Sequence, residues 1–308
     1  MQTRVFLTGA SGYLGGALMD HFSQMPEVSG ITGIGLSRLR RPLPPKAKFL
    51  EMDIRSPKLV EVMAGHDVVV NAACVVLWSA RMPAAERDDI NLNGTRNVAR
   101  AALASGVRRF IHTSSMGAYD PELIRGKSDV MEDFPIGKGN SRYYYWNSKA
   151  EGERVLHEIL DSSSVVVTHF RPIYIIGARN RSIIRNYQTN AVMFPGRDPR
   201  RQFIHEDDVA AAFVQAIRTD MPGAYNLVPD DSIRLSDVWR TVGAKFVPTV
   251  PLPLARMITG LRWRFLGSPV HSSWVEDMLL DFTGSNAHLK STGWKPRYSS
   301  MAALESAL

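Results

Sequence analysis

Three glycines at three-residue spacing follow an apolar run near the start of the chain. The run Val5–Leu7 predicts a β-strand, and the apolar periodicity from Leu14 to Phe22 predicts an amphipathic helix. Gly9 would let the chain turn sharply, Gly12 would let a ligand approach the backbone, and Gly15 would let the helix pack closely on the strand. The free N–H groups at the start of this helix then form a cradle for a pyrophosphate, so the sequence predicts a dinucleotide-binding site.

The first half of the chain alternates strand patterns with helical patterns. Val68 to Val70 form a continuous β-branched run, as expected of a strand that is buried on both faces. Strands are predicted over residues 31–36, 48–52, 67–73, 109–113 and 165–170, and helices over residues 84–105 and 145–160. This order predicts an α/β fold, in which a doubly wound parallel sheet is covered by helices on both faces.

Beyond Pro172 the patterns become shorter and richer in proline and tryptophan. They predict a smaller C-terminal substrate domain that lies over the carboxyl edge of the sheet, where ligands bind in open α/β folds. We expect the two domains to be interleaved. Residues 1–172 and 203–229 would form the dinucleotide-binding domain, and residues 173–202 and 230–308 would form the substrate domain.

The 308-residue chain carries 37 basic and 30 acidic side chains, which give it a formal net charge of +7. The basic residues are dispersed, which argues against nucleic-acid binding and favours a rim that attracts an anionic small molecule. No apolar run reaches the ~18 residues that cross a bilayer, and a strand begins soon after Met1, so we expect a cytoplasmic protein without an integral membrane segment. A single cysteine, Cys74, excludes an internal disulfide, and we predict no metal site.

Tyr145 and Lys149 are four residues apart in a predicted helix, so their side chains share one face. An ammonium group beside a phenol favours the phenolate and lowers a pKa that starts near ~10. Three tyrosines stand in a row, but Asn147 and Ser148 follow the other two at this spacing. We therefore predict that Tyr145 is the catalytic proton donor and that Lys149 adjusts its pKa.

Together with these features, several short motifs make the sequence similar to the extended short-chain dehydrogenase/reductase family, which includes NAD(P)-dependent epimerases, dehydratases and 3β-hydroxysteroid dehydrogenase-like enzymes. The motifs are Thr8-Gly9 through Gly15, Asp53-Ile54, Asn71-Ala72-Ala73, Asn91 with Gly94-Thr95, Ser114-Ser115, Tyr145 to Lys149, Arg171-Pro172, and Phe203-Ile204-His205 with Asp207-Asp208. The resemblance covers nearly the whole chain. It implies a Rossmann-like sheet, a nicotinamide cofactor and Ser/Tyr/Lys chemistry.

The resemblance also implies roles for individual residues. Ser115 would take the serine role, because Tyr119 then falls where the family usually has a tyrosine. Asn91 would either anchor a water that relays protons to Lys149, or only kink or cap its helix. The residues implied to bind the cofactor are Gly9, Gly12, Tyr13, Leu14, Gly15, Asp53, Ile54, Asn71, Ala72, Ala73, Tyr145, Lys149, Pro172 and Ile173. Family members often dimerise through two long helices, so the resemblance implies a homodimer as well.

The strand after the glycine-rich helix ends in Gly35-Leu36-Ser37-Arg38, without the acidic residue that holds the ribose 2′-hydroxyl of NAD. Ser37 can donate a hydrogen bond to a 2′-phosphate and Arg38 can pair with it, helped by Arg41. The alternative is that residues 38–41 form a solvated basic turn. We predict NADP(H) as the preferred cofactor, with NAD(H) as the alternative.

Only about 30 residues separate Pro172 from Phe203, whereas nucleotide-sugar enzymes of the resembled family carry a longer insertion there. Trp78 and Met116, which follow predicted strands, would either line an apolar substrate pocket or pack in the core. The favoured function is an NAD(P)(H)-dependent oxidoreductase that interconverts a secondary alcohol and a ketone or aldehyde on a largely apolar small molecule. The alternatives are an NAD-dependent nucleotide-sugar epimerase or dehydratase, and a non-catalytic cofactor-sensing regulator.

Residues 252–266 mix basic, aromatic and aliphatic side chains. Two interpretations fit this pattern. The segment is either a helix of the substrate domain that covers the pocket, or a helix that lies on a membrane surface.

Overall fold

The computed structural model describes residues 2–39, 41–141 and 143–308, apart from the side chain of Ser182. Its strands are β1 (Thr3–Thr8), β2 (Val28–Gly35), β3 (Ala47–Glu51), β4 (Val68–Asn71), β5 (Arg109–Thr113), β6 (Val166–Pro172), β7 (Tyr174–Ile176), β8 (Arg200–Arg201), β9 (Phe203–His205), β10 (Gly223–Leu227) and β11 (Ile233–Arg234). Its α-helices are α1 (Tyr13–Ser23), α2 (Leu59–Met63), α3 (Ala84–Asp88), α4 (Gly94–Ala104), α5 (Pro121–Ile124), α6 (Tyr144–Leu160), α7 (Arg181–Asn190), α8 (Glu206–Arg218), α9 (Leu235–Thr241), α10 (Leu252–Phe265), α11 (Ser273–Asp277), α12 (Ala287–Ser291) and α13 (Ser300–Glu305).

Seven of the strands form one sheet in the order β10-β6-β5-β4-β1-β2-β3. Every neighbouring pair in this sheet is parallel. The strand order changes direction between β1 and β4, because β2 and β3 extend the sheet on one side and β5 and β6 extend it on the other. The predicted Rossmann-like, doubly wound sheet is therefore confirmed. Ligands of open α/β folds bind at such a change of direction, beyond the carboxyl ends of the strands.

Successive residues of β1 point to opposite faces of the sheet. Val5 and Leu7 lie in a core shared with α1 and α8, whereas Phe6 lies in a second core with α2, α4 and α6. All three side chains are fully buried. Because the central strands are covered on both faces, they read in the sequence as continuous apolar runs rather than as alternating ones.

The helix predicted over residues 84–105 is present, but it is not regular. α3 runs into a π-helical segment, Asp89–Asn93, which leads directly into α4. Within this segment the side-chain amide of Asn91 accepts a hydrogen bond from the Val75 N–H at 2.7 Å and donates one to the Val75 carbonyl at 3.1 Å. The wider π turn thus accompanies a direct contact between the helix and the loop after β4.

Much of the chain after β6 packs in a smaller layer with its own core. Buried residues of β7, α7, β9, α9 and α13 form one cluster that includes Trp239. Two short sheets, β7 with β9 and β8 with β11, belong to this region. α7 and α9 pack in the smaller layer, whereas α8 and β10, which lie between them in the chain, pack against the central sheet. This order is what an interleaved arrangement would give. The exact domain boundaries stay a prediction.

Candidate active site

The glycine-rich turn at the end of β1 has no room for side chains. Gly9 adopts a positive φ of 69°, and a Cβ atom there would lie 2.8 Å from the backbone of Ala72 and Ala73. A Cβ on Gly15 would lie 2.2 Å from the Gly9 carbonyl oxygen. Gly12 is the N-cap of α1, and no side chain caps this helix. The backbone N–H groups of its first turn therefore fit the pyrophosphate of a dinucleotide.

The Thr8 hydroxyl joins the carboxyl ends of β1 and β4. It donates to Asn71 Oδ1 at 2.7 Å and accepts hydrogen bonds from the N–H groups of Ala72 and Ala73, each at 3.1 Å. These two N–H groups are bound to a side chain instead of a neighbouring strand, which explains why β4 ends at Asn71 rather than at the predicted Ala73. The arrangement brings the predicted cofactor residues of both strands together at the crevice.

The end of β2 offers no carboxylate. Ser37 and Arg38 are exposed directly after this strand. Arg41 is already paired, because its guanidinium donates to Asp20 at 2.5 Å and to the Gly16 carbonyl of α1 at 2.9 Å. Arg40, the remaining member of the predicted basic turn, lies outside the described residues. Arg38 is thus the described cation of this turn that remains available to a 2′-phosphate.

Asp53 and Ile54 follow β3 and are fixed by different contacts. The Asp53 carboxylate accepts hydrogen bonds from the backbone and the guanidinium of Arg55, and these bonds lower its pKa. Ile54 is buried against Gly94 at the start of α4, where a Cβ atom would lie 2.4 Å from Ile54 Cδ1. The glycine of the Asn91–Thr95 motif is therefore needed for packing.

The remaining residues predicted to contact the cofactor lie at element ends near the same edge. Tyr13 and Leu14 begin α1, Pro172 ends β6, and Ile173 donates its N–H to the Leu227 carbonyl at 3.2 Å. The Tyr13 hydroxyl is buried, and burial and the neighbouring Glu206 raise its pKa. Tyr13 can therefore contribute its backbone N–H to the cradle while its side chain packs toward α8.

Tyr145, Lys149 and Glu153 form one stripe on α6, at i, i+4 and i+8. Lys149 Nζ donates to the Thr113 carbonyl at the end of β5, at 2.8 Å, and lies 5.8 Å from the centre of the Tyr145 ring. The stripe faces the carboxyl ends of the central strands. The pair that the spacing predicted therefore lies beside the crevice.

Opposing effects set the pKa of the Tyr145 phenol. Burial raises it, whereas the Lys149 charge and the Ser115 hydroxyl lower it, and the net direction is upward. Lys149 lowers the pKa of Tyr145, as predicted, but burial outweighs this effect. The ring of Trp274 contributes to the burial, since its centre lies 5.3 Å from that of the Tyr145 ring. Burial lowers the pKa of Lys149, but Cys74 and Tyr145 raise it to give a net increase, so the ammonium stays charged.

The two serines after β5 have different partners. Ser115 Oγ accepts a hydrogen bond from the Gly117 N–H at 3.0 Å and lies by the Tyr145 phenol. Ser114 is almost fully buried and donates its hydroxyl proton to the Glu153 carboxylate. Ser115 is therefore the serine that lies beside Tyr145, whereas Ser114 is bound to Glu153, and the catalytic role of Ser115 stays a prediction.

Glu153 pairs with Arg171 inside the protein. Arg171 Nε and Nη2 donate to the two carboxylate oxygens at 2.9 and 2.7 Å, and both side chains are buried. The guanidinium also lies 4.6 Å above the Tyr119 ring. Burial by itself would raise the pKa of Glu153. The hydrogen bonds and the charge of Arg171 outweigh burial and lower this pKa to about 2. This pair explains the arginine of the Arg171-Pro172 motif.

The sequence gives Asn91 two possible roles, as the anchor of a water near Lys149 or as a residue that kinks or caps its helix. Both ends of its amide are bound by the Val75 backbone, and the residue lies in the π-helical segment. This arrangement favours the structural interpretation, in which Asn91 shapes the helix and holds the loop after β4.

Five ring-bearing side chains lie together over the Tyr145 end of α6, and we call them the aromatic wall: Trp78, Tyr144, Trp263, His271 and Trp274. The Trp78 ring centre lies 4.1 Å from that of Tyr144, 5.5 Å from that of Trp263 and 5.0 Å from that of His271. Trp274 Nε1 donates to the Tyr144 hydroxyl at 3.0 Å. The buried Arg87 guanidinium lies 4.3 Å from the Trp78 ring centre, in a cation–π contact. The wall joins the loop after β4 to α10 and α11.

A small cavity, with room for about one water molecule, opens beside the Tyr145 phenol. Its lining residues are Tyr143, Tyr145, Trp146, Ser273, Trp274 and Asp277. The buried Asp277 carboxylate accepts hydrogen bonds from Trp146 Nε1 at 3.0 Å and from the Tyr174 hydroxyl at 2.5 Å, and burial raises its pKa. Sequence reasoning missed Trp274 and Asp277, since they lie more than 100 residues beyond Tyr145 in a short helix without a recognisable motif.

Neither residue predicted to line an apolar pocket lines this cavity. Met116 is 1% exposed and packs in the core beside Val228 and Gly284. Trp78 is buried within the aromatic wall, and the rings of Tyr144 and Trp274 lie between it and Tyr145. The packing interpretation is therefore right for Met116, whereas Trp78 helps to build the wall of the site.

Two kinds of feature are absent from the described residues. No helix among them is both long and apolar enough to cross a membrane. Within the same residues, no group of three or more His, Cys, Asp and Glu side chains converges as a metal site would require.

Solved structures with the same fold include two enzymes. UDP-glucose 4-epimerase from Thermotoga maritima, solved with UDP-glucose, matches with a TM-score of 0.78 at 17% identity over 99% of this chain and 97% of that one. The enzyme WbmG from Bordetella bronchiseptica, solved with NAD, matches with a TM-score of 0.74 at 19% identity over 100% of this chain and 93% of that one.

Sequence comparison gives a more specific result. An N-acetyl-α-D-glucosaminyl-diphospho-ditrans,octacis-undecaprenol 4-epimerase from Escherichia coli O157:H7 is 30% identical over 189 residues, which span 60% of this chain and 53% of that protein. The model of the NAD dependent epimerase/dehydratase family matches residues 5–227. This match covers the glycine-rich turn, the Tyr145 helix and every strand of the central sheet, and the chain therefore belongs to the NAD dependent epimerase/dehydratase family.

Proposed function

We propose that this chain is an NAD(P)-dependent epimerase or dehydratase that oxidises a secondary alcohol on a sugar carried by a diphosphate. The observation that carries this proposal is the position of Tyr145. Its phenol is next to Lys149 and Ser115, and Tyr145 lines the same small cavity as Trp274 and Asp277. A proton donor thus lies beside groups suited to holding a sugar.

The chemistry follows from where charge develops. When the alcohol is oxidised, its hydroxyl proton moves to the Tyr145 oxygen, and the Lys149 charge favours the phenolate that accepts it. In the reverse direction the phenol returns the proton to the carbonyl oxygen, while the Ser115 hydroxyl stabilises the negative charge on that oxygen. The nicotinamide cofactor, when bound, supplies the acceptor and donor of hydride. Gly9, Gly12 and Gly15 would cradle its pyrophosphate.

The cavity itself is too small for a pyranose, but two kinds of group that line it have the chemistry that binds a sugar. An indole ring such as that of Trp274 packs well against the apolar C–H face of a pyranose. The Asp277 carboxylate already accepts two hydrogen bonds, yet a carboxylate has about four lone-pair sites, so it can also accept bonds from sugar hydroxyls. Ser273 adds a hydroxyl. These polar groups fit a sugar better than the apolar molecule expected from the sequence.

The names of two similar proteins support a diphosphate as the carrier. One relative is a 4-epimerase of a sugar linked through a diphosphate to undecaprenol, and a protein of the same fold is a UDP-glucose 4-epimerase. The feature these substrates share is a sugar on a diphosphate. The short connection between Pro172 and Phe203 argues against a large nucleotide-binding insertion, so the proposal rests on this shared part of the substrate.

A second candidate, a reductase of a ketone or aldehyde, is favoured by the end of β2. The exposed Arg38 and the absence of an acidic residue there suit NADP(H), and a cofactor with a 2′-phosphate suits an enzyme that consumes reducing equivalents. A non-catalytic regulator is disfavoured, because the Tyr145–Lys149 pair is retained and lies at the crevice.

Cofactor stoichiometry separates the first two candidates. The protein is incubated with NAD or NADP and a panel of UDP-sugars and an undecaprenyl-diphosphate sugar, and in parallel with NADH or NADPH and simple ketones and aldehydes. We expect NMR to detect a sugar product while the absorbance of the reduced cofactor at the end of the reaction equals that at the start. Consumption of one reduced cofactor for each carbonyl compound reduced would instead establish the reductase.

Replacing Tyr145 with phenylalanine tests the proton donor. We expect turnover to fall by roughly 10² or more, because a positioned acid or base contributes about that much, while cofactor affinity and thermal stability change little. Tyr144→Phe is the matched control, since this neighbouring hydroxyl binds the Val76 carbonyl and Trp274 and should matter far less for turnover. Near-normal turnover of Tyr145→Phe would remove this residue from the mechanism.

We also propose that the cofactor site prefers NADP(H), although several proteins of the same fold were solved with NAD. Arg38→Ala should then weaken NADPH binding about tenfold or more, the usual scale for a lost charge-assisted hydrogen bond, and leave NADH binding nearly unchanged. Isothermal titration with both cofactors measures this, and NADH serves as the internal control. Equal losses for the two cofactors, or tighter NADH binding by the unaltered protein, would contradict the preference.

A further inference from the structure

One face of α10 carries an exposed apolar stripe. Its members occur at i, i+3, i+4, i+7 and i+11, so they lie within one face of the helix. They are Leu254 (41% exposed), Met257 (56%), Ile258 (42%), Leu261 (50%) and Phe265 (73%). Single exposed apolar residues are ordinary, but five on one face form a contiguous patch of the kind that marks an interaction surface.

The opposite face of α10 is fixed to the protein. Ala255 is buried, Trp263 Nε1 donates to the Trp78 carbonyl at 2.9 Å, and Arg256 forms an ion pair with Glu276. The indole of Trp263 belongs to the aromatic wall. Because this face is held, the stripe cannot turn inward without breaking contacts beside the site. The interpretation of residues 252–266 as a helix of the substrate domain concerns the inner face of α10, and the interpretation as a membrane-surface helix concerns its exposed face.

Basic residues flank the stripe. At 100° per residue, Arg262 lies about 80° to one side of the line through Leu254 and Arg264 lies about 80° to the other. Both are exposed, and Arg262 donates to Asn190 Oδ1 at 2.6 Å. The helix contains no acidic residue. An apolar face bordered on both sides by arginines is the pattern of a helix that lies in the interface of a bilayer.

We propose that α10 docks this protein on the surface of an anionic lipid bilayer, with its stripe at the boundary between headgroups and acyl chains. Arg262 and Arg264 would then lie among the anionic headgroups. A second copy of this chain fits the same face less well, because the contact would join two chains of net charge +7 at a face that each flanks with exposed arginines. Charge therefore favours the bilayer.

Docking in this orientation would place the candidate site next to the membrane. Trp263 on the inner face of α10 contacts Trp78, whose ring contacts that of Tyr144, the neighbour of the proposed proton donor. The proposal concerns the surface alone and does not depend on which reaction the site performs, so a binding assay tests it without any turnover.

Sedimentation with vesicles tests the proposal. Purified protein is mixed with 100-nm vesicles of phosphatidylcholine alone, or of phosphatidylcholine with phosphatidylglycerol at 7:3. We expect binding to the anionic vesicles that is roughly tenfold or more tighter than binding to the neutral ones, because each arginine near an anionic surface contributes about 1 kcal/mol, or about fivefold. Arg262→Gln/Arg264→Gln should lose most of this difference.

A double variant of the stripe provides the second arm. Leu261→Glu/Phe265→Glu should weaken binding to anionic vesicles at least tenfold, while its circular dichroism and cofactor affinity match those of the unaltered protein. Leu103→Glu/Leu123→Glu is the matched control, because it makes the same chemical change at two exposed leucines of α4 and α5 and should bind normally.

Four outcomes would overturn the proposal. They are no sedimentation of the unaltered protein, equal binding to neutral and anionic vesicles, an equal loss in the control variant, and a dimer that the stripe variant converts to a monomer. The last result would make this face an interface between two copies of the chain.

Discussion

The arrangement of the site depends on one buried ion pair. Glu153 and Arg171 join α6 to β6 through two hydrogen bonds, and both charges lie where water does not reach them. Burying two charges costs free energy that only good geometry offsets, so such a pair tolerates little movement of either element. Its effect on α6 is to fix the rotation of the helix. Glu153 is on the same stripe as Lys149 and Tyr145, and these two therefore face the ends of the strands.

Other contacts in the site relate to this pair. Ser114 donates to Glu153, which leaves Ser115 as the serine beside Tyr145. Lys149 donates a hydrogen bond to the carbonyl of Thr113, the residue that precedes Ser114. On the opposite side the aromatic wall covers the Tyr145 phenol, and this burial raises its pKa against the pull of Lys149. Polar contacts on the side of the sheet thus position the proton donor, and the aromatic wall on the opposite side shields it from water.

The sequence predicted the parts of the site that local geometry determines. The turn at Gly9 needs a positive φ, and the contact between Gly15 and the Gly9 carbonyl leaves no room for a side chain, so both glycines are visible as a pattern. The i, i+4 spacing selected Tyr145 from three adjacent tyrosines because a helix brings such positions together. The doubly wound parallel sheet followed from the alternation of strand and helix patterns.

The parts that the sequence could not supply depend on contacts between distant segments. Trp274 and Asp277 reach the Tyr145 phenol only because the C-terminal layer folds back over the sheet. The side chain of Met116 looked available to a substrate after a strand, yet it packs against Gly284, which is far away in sequence. The π-helical segment at Asn91 depends in the same way on a bond to the Val75 loop. Local periodicity carries no signal for such contacts.

The most direct test of this account is the free energy of unfolding of Arg171→Met, measured in urea beside Lys290→Met. We expect the first change to cost about 3–5 kcal/mol, because it leaves the Glu153 charge buried and unpaired. The second removes the exposed Lys290–Asp230 pair and should cost less than about 1 kcal/mol. Glu153→Leu/Arg171→Met, which removes both buried charges, should be more stable than Arg171→Met alone. Equal, small losses for the two single variants would contradict the claim that this ion pair holds the site in place.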